Sequence, residues 1–149
     1  MTYYLSLGSN IGDREAHTDD TCRLIAERCG QVTARSGNHY SEPWGYTSEN
    51  TYLNICIRVE TALTPDELLD ATQQIERELG RIQKNVYADR TIDIDLLLCF
   101  REDGTSVTCH TERLTLPHPL MEQRDFVMIP LREIADENVT RYIQQKHIQ

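Results

Sequence analysis

The segment Thr91–Cys99, TIDIDLLLC, narrows the choice of fold more than any other part of this chain. Ile92, Ile94, Leu96 and Leu98 recur with a period of two, and Leu97 adds an apolar residue between them. That pattern predicts a strand facing the core and central in its sheet. Two carboxylates, Asp93 and Asp95, interrupt it. Two apart on a strand, they project from one face with Cα atoms about 6.6 Å apart. Acidic pairs on strands usually mark a solvated sheet face. On a strand this apolar, however, an unpaired carboxylate is costly. The two repel unless a cation lies between them, and at this spacing they can converge on metal ions about 3.5–4 Å apart.

The other elements follow from patterning. Residues 2–7 alternate, with Tyr3, Leu5 and Leu7 on one face, and predict a strand ended by Gly8. Asp13 caps a helix expected over 14–28, with a weak apolar stripe of Leu24, Ile25 and Ala26, stopped by Gly30. A β-leaning stretch, 31–40, runs into a loop marked by Pro43 and Gly45. In residues 52–60, Leu53, Ile55, Ile57 and Val59 point one way, and Tyr52, Asn54, Cys56 and Arg58 the other. Thr64-Pro65-Asp66-Glu67 supplies N-cap, N1 proline and capping-box glutamate. The helix after it is expected to bury Leu68, Ala71, Thr72, Ile75 and Leu79 and to end at Gly80. Asp103-Gly104 signals a hairpin; a strand from Leu114, a Pro117-His118-Pro119 turn and short helices near 121–124 and 126–135 complete the chain. The order predicts an α+β fold: a ferredoxin-like βαββαβ sandwich, both helices on one sheet face, with an added C-terminal hairpin and short helices. Its length of 149 residues suits one domain, residues 1–149.

Charge and cysteines restrict the function. A net charge of −9 argues against nucleic acid or anionic membranes as partners. The start, MTYYLSLGSN, has neither the basic nor the apolar region of a signal peptide, and no stretch approaches a membrane span. Cysteines 22, 29, 56, 99 and 109 have no metal-site spacing and read as reduced thiols of a cytoplasmic protein.

Three features could carry chemistry beside the Asp pair. Arg81, Lys84 and Arg90 cluster in the loop before it; alone they are a solvated charged loop, but next to metal sites they would complete a polyphosphate clamp. Tyr52 and Asn54 share a sheet face, the same as that of the Asp pair if the helices cover the other, which fits either cross-strand contacts or a flat heterocycle stacked on the ring and read by the amide. Glu76, His118 and Arg124 are unremarkable individually: a helix surface charge, a histidine in a proline turn and an isolated arginine. The chain has no G-x-x-x-x-G-K-[ST], G-x-G-x-x-G, H-R-D or D-F-G sequence, so it is neither a P-loop enzyme nor a protein kinase. S-L-G-S-N-I-G-D reads as a strand-to-helix loop.

Taken in order, Y-L-S-L-G-S-N-I-G-D-R (4–14), E-P-W-G (42–45), Y-L-N (52–54), Q-Q-I-E-x-x-L-G-R (73–81), R-T-I-D-I-D-L-L-L (90–98) and L-P-H-P-L-M-x-x-R-x-F (116–126) resemble the 6-hydroxymethyl-7,8-dihydropterin pyrophosphokinase family of folate biosynthesis. The resemblance implies transfer of pyrophosphate from ATP to the pterin hydroxymethyl group. Asp93 and Asp95 match ligands of two Mg²⁺ ions, with Asp95 also near the attacking hydroxyl. Arg81 and Arg90 match catalytic arginines that reach the phosphates. Gln73, Glu76, Arg113, Thr115, His118 and Arg124 match the nucleotide site. Ser41, Pro43, Trp44, Tyr52, Asn54, Tyr87 and Phe126 match the pterin pocket, Tyr52 and Phe126 sandwiching the ring and Tyr87 closing over it. A cytoplasmic monomer is expected. Gln83 and Glu122 depart from the family, which commonly has a basic residue there, and Thr18, Asp19 and Asp20 stand where its first helix is more apolar.

Two rival readings use the same residues. A two-metal nucleotidyl transferase or cyclase would release pyrophosphate rather than AMP. A non-catalytic ligand-binding module would bind without Mg²⁺ and leave the Asp pair unexplained.

Overall fold

A computed structural model describes residues 1–42, 50–80 and 91–148. In chain order these form β1 (Thr2–Ser9), α1 (Arg14–Arg28), β2 (Gln31–Arg35), β3 (His39–Ser41), β4 (Tyr52–Glu60), α2 (Pro65–Glu78) and β5 (Asp93–Phe100). There follow β6 (Cys109–His110), β7 (Thr115–Leu116), a 3₁₀ turn (Met121–Gln123), α3 (Asp125–Ile134) and α4 (Glu137–Ile148). The arrangement is α+β. One antiparallel sheet has the order β2-β4-β1-β5, with β3 also pairing with β4, and β6 and β7 form a separate ladder. Among the described residues no helix is long and apolar enough to cross a membrane.

Local signals set the helix starts. Thr64 and Glu67 form the reciprocal capping box, Glu67 N–H donating to Thr64 Oγ1 at 3.3 Å and Thr64 N–H to Glu67 Oε1 at 2.9 Å. In α1 the carboxylate of Asp13 accepts from Ala16 N–H at 3.0 Å. The buried faces differ from the predicted ones. α1 buries Thr18, Thr21 and Ile25 rather than a Leu24–Ala26 stripe. Its threonine hydroxyls donate to carbonyls of the preceding turn, Thr18 to Glu15 at 3.0 Å and Thr21 to His17 at 2.7 Å, so they enter the core already satisfied. α2 buries Leu68, Leu69, Thr72, Ile75 and Glu76; Ala71 and Leu79 lie at the margin of that face.

The sheet is covered on both faces, with α1 and α2 together on one of them as expected. α1 and α2 pack on Tyr3, Leu5, Leu7, Leu53, Ile55, Ile57, Val59, Ile92, Ile94 and Leu96. α3 and α4 cover the far end of the other face through Val127, Met128, Leu131 and Val139, packed on Tyr4, Cys56, Leu98 and Phe100. α4 was not foreseen, although Asp136 announces it: its carboxylate accepts from Asn138 and Val139 N–H at 3.0 and 3.1 Å.

Three further corrections concern the strands. β1 runs through Gly8 to Ser9 instead of stopping at the glycine. β5 is an edge strand of the sheet, not a central one. Its outer edge is occupied nonetheless: Val107 and His118 N–H donate to Cys99 and Leu97 carbonyls at 2.8 and 2.9 Å, which keeps an apolar edge from solvent. Finally, Tyr4 pairs with Leu98 and Leu5 with Leu96, so Leu97 is an extra residue, a bulge. The bulge breaks the alternation, sending Leu98 to the second core while Ile94 and Leu96 stay in the first.

Candidate active site

Upstream of the bulge, Asp93 and Asp95 keep strict register with β1. Asp93 lies opposite Gly8, which lies opposite Asn54 on β4; Asp95 lies opposite Ser6, which lies opposite Cys56. The expectation that the Asp pair, Tyr52 and Asn54 share a sheet face is therefore met. At a strand spacing of about 4.8 Å, Asp93 and Asn54 stand roughly 10 Å apart across the glycine. Gly8 forms the floor between them. A methyl group there would lie 3.4 Å from the Tyr52 ring and 3.5 Å from Asn54 Oδ1, filling the space. Sequence reading missed Gly8, and its one signal was a glycine inside an apolar strand pattern.

Asn54 is 2 % exposed and donates from Nδ2 to Ser41 Oγ at 2.7 Å, so Ser41 of β3 and Asn54 of β4 form one polar unit. Arg124, just before α3, brings its guanidinium within 3.9 Å of Asp95 and lies 5.8 Å from the centre of the Phe126 ring. α3 packs against β4 and β1, and this delivers Arg124 and Phe126 to the open end of the sheet face.

On the outer edge of β5 lies a cleft of about 200 Å³, lined among others by Asp95, Arg113, Thr115 and His118. Four predicted residues thus meet there. Arg113 is paired with Asp70 of α2. His118 is fixed twice: its N–H donates to Leu97 and its Nδ1 accepts from Leu120 N–H at 3.2 Å, which puts the proton of the neutral ring on Nε2.

Glu76 sits elsewhere. It is 2 % exposed, and its Oε2 accepts from Ile94 N–H at 2.7 Å, between the two aspartates in sequence. The carboxylate is thus bonded to the backbone of β5 rather than lying on the helix surface. Gln73 is half-buried one turn earlier on α2 and does not line the cleft. Pro43, Trp44, Arg81, Lys84, Tyr87 and Arg90 lie outside the described residues. Among the described residues no cluster of three or more histidine, cysteine or acidic side chains has metal-binding geometry. The donors of Asp93 and Asp95 are carboxylate oxygens on one face, a set suited to a hard cation that completes its shell from substrate and water.

The family profile of 7,8-dihydro-6-hydroxymethylpterin-pyrophosphokinase matches residues 4–136. The chain is 43% identical over 135 residues to the 2-amino-4-hydroxy-6-hydroxymethyldihydropteridine pyrophosphokinase of Porphyromonas gingivalis, with 89% of each chain covered. The Bacillus subtilis protein of that name is 42% identical over 135 residues, covering 90% of this chain and 78% of its own. That of Methylorubrum extorquens is 41% identical over 137 residues, covering 91% and 84%. By these matches the chain is a phosphate-transferring enzyme. It belongs to the 7,8-dihydro-6-hydroxymethylpterin-pyrophosphokinase family, as the resemblance of its motifs implied.

Proposed function

We infer that this chain transfers the pyrophosphoryl group of ATP to the hydroxymethyl group of 6-hydroxymethyl-7,8-dihydropterin, yielding AMP and the pterin diphosphate, in folate biosynthesis. The observation that carries the assignment is the register Asn54–Gly8–Asp93, which sets an amide pocket and a carboxylate pair on one floor, with Asp95 reaching the cleft beyond. The reaction forms a bond from the hydroxymethyl oxygen to the β-phosphorus and breaks the bond between that phosphorus and the oxygen bridging it to the α-phosphate. The hydroxyl loses its proton.

Asn54 and Ser41 read the polar edge of the pterin, whose ring is stacked by Tyr52 and Phe126. Pro43, Trp44 and Tyr87 contribute to pterin binding by the resemblance of the motifs. Arg113, Thr115 and His118 bind the nucleotide in the β5 cleft, with Gln73 at its approach. Glu76 acts there through the Ile94 backbone, holding the intervening strand in place. Asp93 and Asp95 hold two Mg²⁺, which supply charge neutralisation of the triphosphate when bound. Asp95 orients the attacking hydroxyl. Arg124, already near Asp95, together with Arg81 and Arg90 faces the negative charge that develops as AMP leaves. Positioning across a rigid sheet supplies much of the acceleration.

The strand order β2-β4-β1-β5, read without the short β3, supports the ferredoxin-like sandwich, with the Asp103-Gly104 turn, closed by the Phe100–Ser106 bridge, as its added hairpin. We read residues 1–149 as one domain acting as a cytoplasmic monomer. The deciding experiment is mass spectrometry of products after incubation with ATP, Mg²⁺ and the hydroxymethyl dihydropterin. AMP and the pterin diphosphate are expected. Released pyrophosphate with an adenylylated product would identify a nucleotidyl transferase, and unreacted substrates with Mg²⁺-independent binding a ligand-binding module.

A further inference from the structure

The first turn of α1 makes a set of contacts that the reaction does not require. Arg14 Nη1 donates to the Thr51 carbonyl at 2.9 Å and to Thr51 Oγ1 at 2.8 Å. The same guanidinium lies 5.0 Å from the centre of the Tyr40 ring. Tyr40 is 53% exposed, yet its hydroxyl donates to Glu15 Oε1 at 2.6 Å. Four residues before Arg14, Asn10 Nδ2 donates to the carbonyl of Asn50, the residue before Thr51, at 3.4 Å. Tyr40 precedes Ser41, and Thr51 precedes Tyr52. Ser41 and Tyr52 are themselves cross-strand partners in the β3–β4 ladder.

We propose that Arg14, with Tyr40 as its partner, is a positioning residue for pterin recognition: from α1 it grips the chain on both sides of the Ser41–Tyr52 pair and sets the distance between them. The inference rests on the assignment of Ser41, Tyr52 and Asn54 to the pterin pocket. The geometry favours a role in spacing over simple surface attachment. A guanidinium bonded to the residue that leads into β4 and stacked on Tyr40 of β3 couples the two strands, which a single surface ion pair does not. The Tyr40–Glu15 bond keeps the ring seated, and it holds the Glu15 carboxyl below its ordinary range while raising the Tyr40 phenol. A β3 of three residues has little pairing of its own to keep Ser41 in place. Asn54 donates to that Ser41, so displacement of Tyr40 passes directly to the amide that reads the ring.

The test is steady-state kinetics and thermal unfolding of Arg14→Ala, Arg14→Lys, Tyr40→Ala and the double variant, with Asn54→Ala alongside. Arg14→Ala and Tyr40→Ala should each raise KM for the pterin about tenfold, with kcat and KM for ATP within about twofold of the parent. The double variant should lose no more than either single one, because the two act as a unit. Arg14→Lys should restore most of the pterin KM by keeping a donor and a charge. The proposal is overturned if KM for ATP rises in step with that for the pterin, or if the two losses multiply. It is also overturned if Arg14→Ala leaves the pterin KM within twofold while Asn54→Ala raises it; the pocket assignment then stands without the staple. Should Asn54→Ala also leave the pterin KM unchanged, the pocket assignment fails and the proposal falls with it.

Discussion

Asp95 meets Ser6 across the strand pair, Arg124 at 3.9 Å and the wall of the β5 cleft, all from one half-buried carboxylate. Its ion pair with Arg124 is long, so little stability depends on it, whereas its place between cleft and pocket makes it hard to replace chemically. Asp95→Ala is therefore expected to lower kcat by more than about a thousandfold, ~4 kcal/mol of barrier, with little change in the urea midpoint. A loss smaller than about tenfold would rule out the carboxylate pair as the centre of the reaction. Asp95 and Asp93 were legible in the sequence because charge stands out in an apolar strand. Gly8 was not. A glycine contributes no side chain to a pattern, and its meaning as a floor comes from Tyr52 and Asn54 on another strand.

At the scale of elements, β5 depends on α2 for more than apolar packing. The Glu76 carboxylate takes the Ile94 N–H, and replacing it leaves a buried donor without that acceptor in the stretch that carries both aspartates. Glu76→Ala should cost roughly 1–3 kcal/mol of stability by urea denaturation and accelerate hydrogen exchange at the Ile94 amide. Glu76→Gln, which retains a carbonyl oxygen, should lose less. Equal stability of the alanine variant and its parent would show that the bond contributes nothing net. The sequence did hold a signal for this inward turn, since Glu76 falls four residues after Thr72 and eight after Leu68, on the buried stripe of its helix. The second helical layer was harder to read. Which sheet face α3 and α4 cover is decided where Leu97 bulges and turns Leu98 toward them.

The whole molecule responds to pH through groups it buries as well as those it exposes. Burial raises the Cys56 thiol well above its ordinary 9.0, with Glu133 adding to the effect. Burial likewise raises Tyr4 from 10.0 to about 12, and pushes Tyr3 upward too. In each case the unfolded chain ionises first. Their stabilisation is therefore complete below the ordinary value and is lost as pH rises from that value toward the folded one. On the acid side Glu15, Glu78 and Glu133 are held below 4.5 by bonds from Tyr40, Arg28 and the Gly37 N–H respectively. Their contribution is present above that value and is lost as pH falls through the folded-state values. Stability should then be broad through neutral pH and decline from about pH 9, each buried group adding a slope of roughly 1.4 kcal/mol per pH unit. Burial also raises the Cys22, Cys29 and Cys99 thiols, so Cys56→Ala should keep the onset but make the decline just above pH 9 shallower, in urea midpoints measured under reducing conditions from pH 8 to 11. An unaltered slope would mean that Cys56 ionises as readily folded as unfolded.

The identity of β1, α1, β4, α2 and β5, the capping box at Thr64, the shared face of Tyr52 and Asn54, and membership of the family were determined by the sequence alone. Each rests on periodicity, capping or motif spacing, which act over a few residues and survive without knowledge of the fold. Tertiary structure alone decided that β5 lies at the sheet edge and that Glu76 secures it. It also decided that Arg113, Thr115 and His118 meet Asp95 in one cleft, and that Arg14 reaches Thr51 and Tyr40. Those outcomes depend on register and burial between segments far apart in the chain. Shifting one strand by a single residue would turn every one of its side chains to the other face. Local patterning favours a face for each element, but only the assembled sheet brings particular residues on different elements into contact.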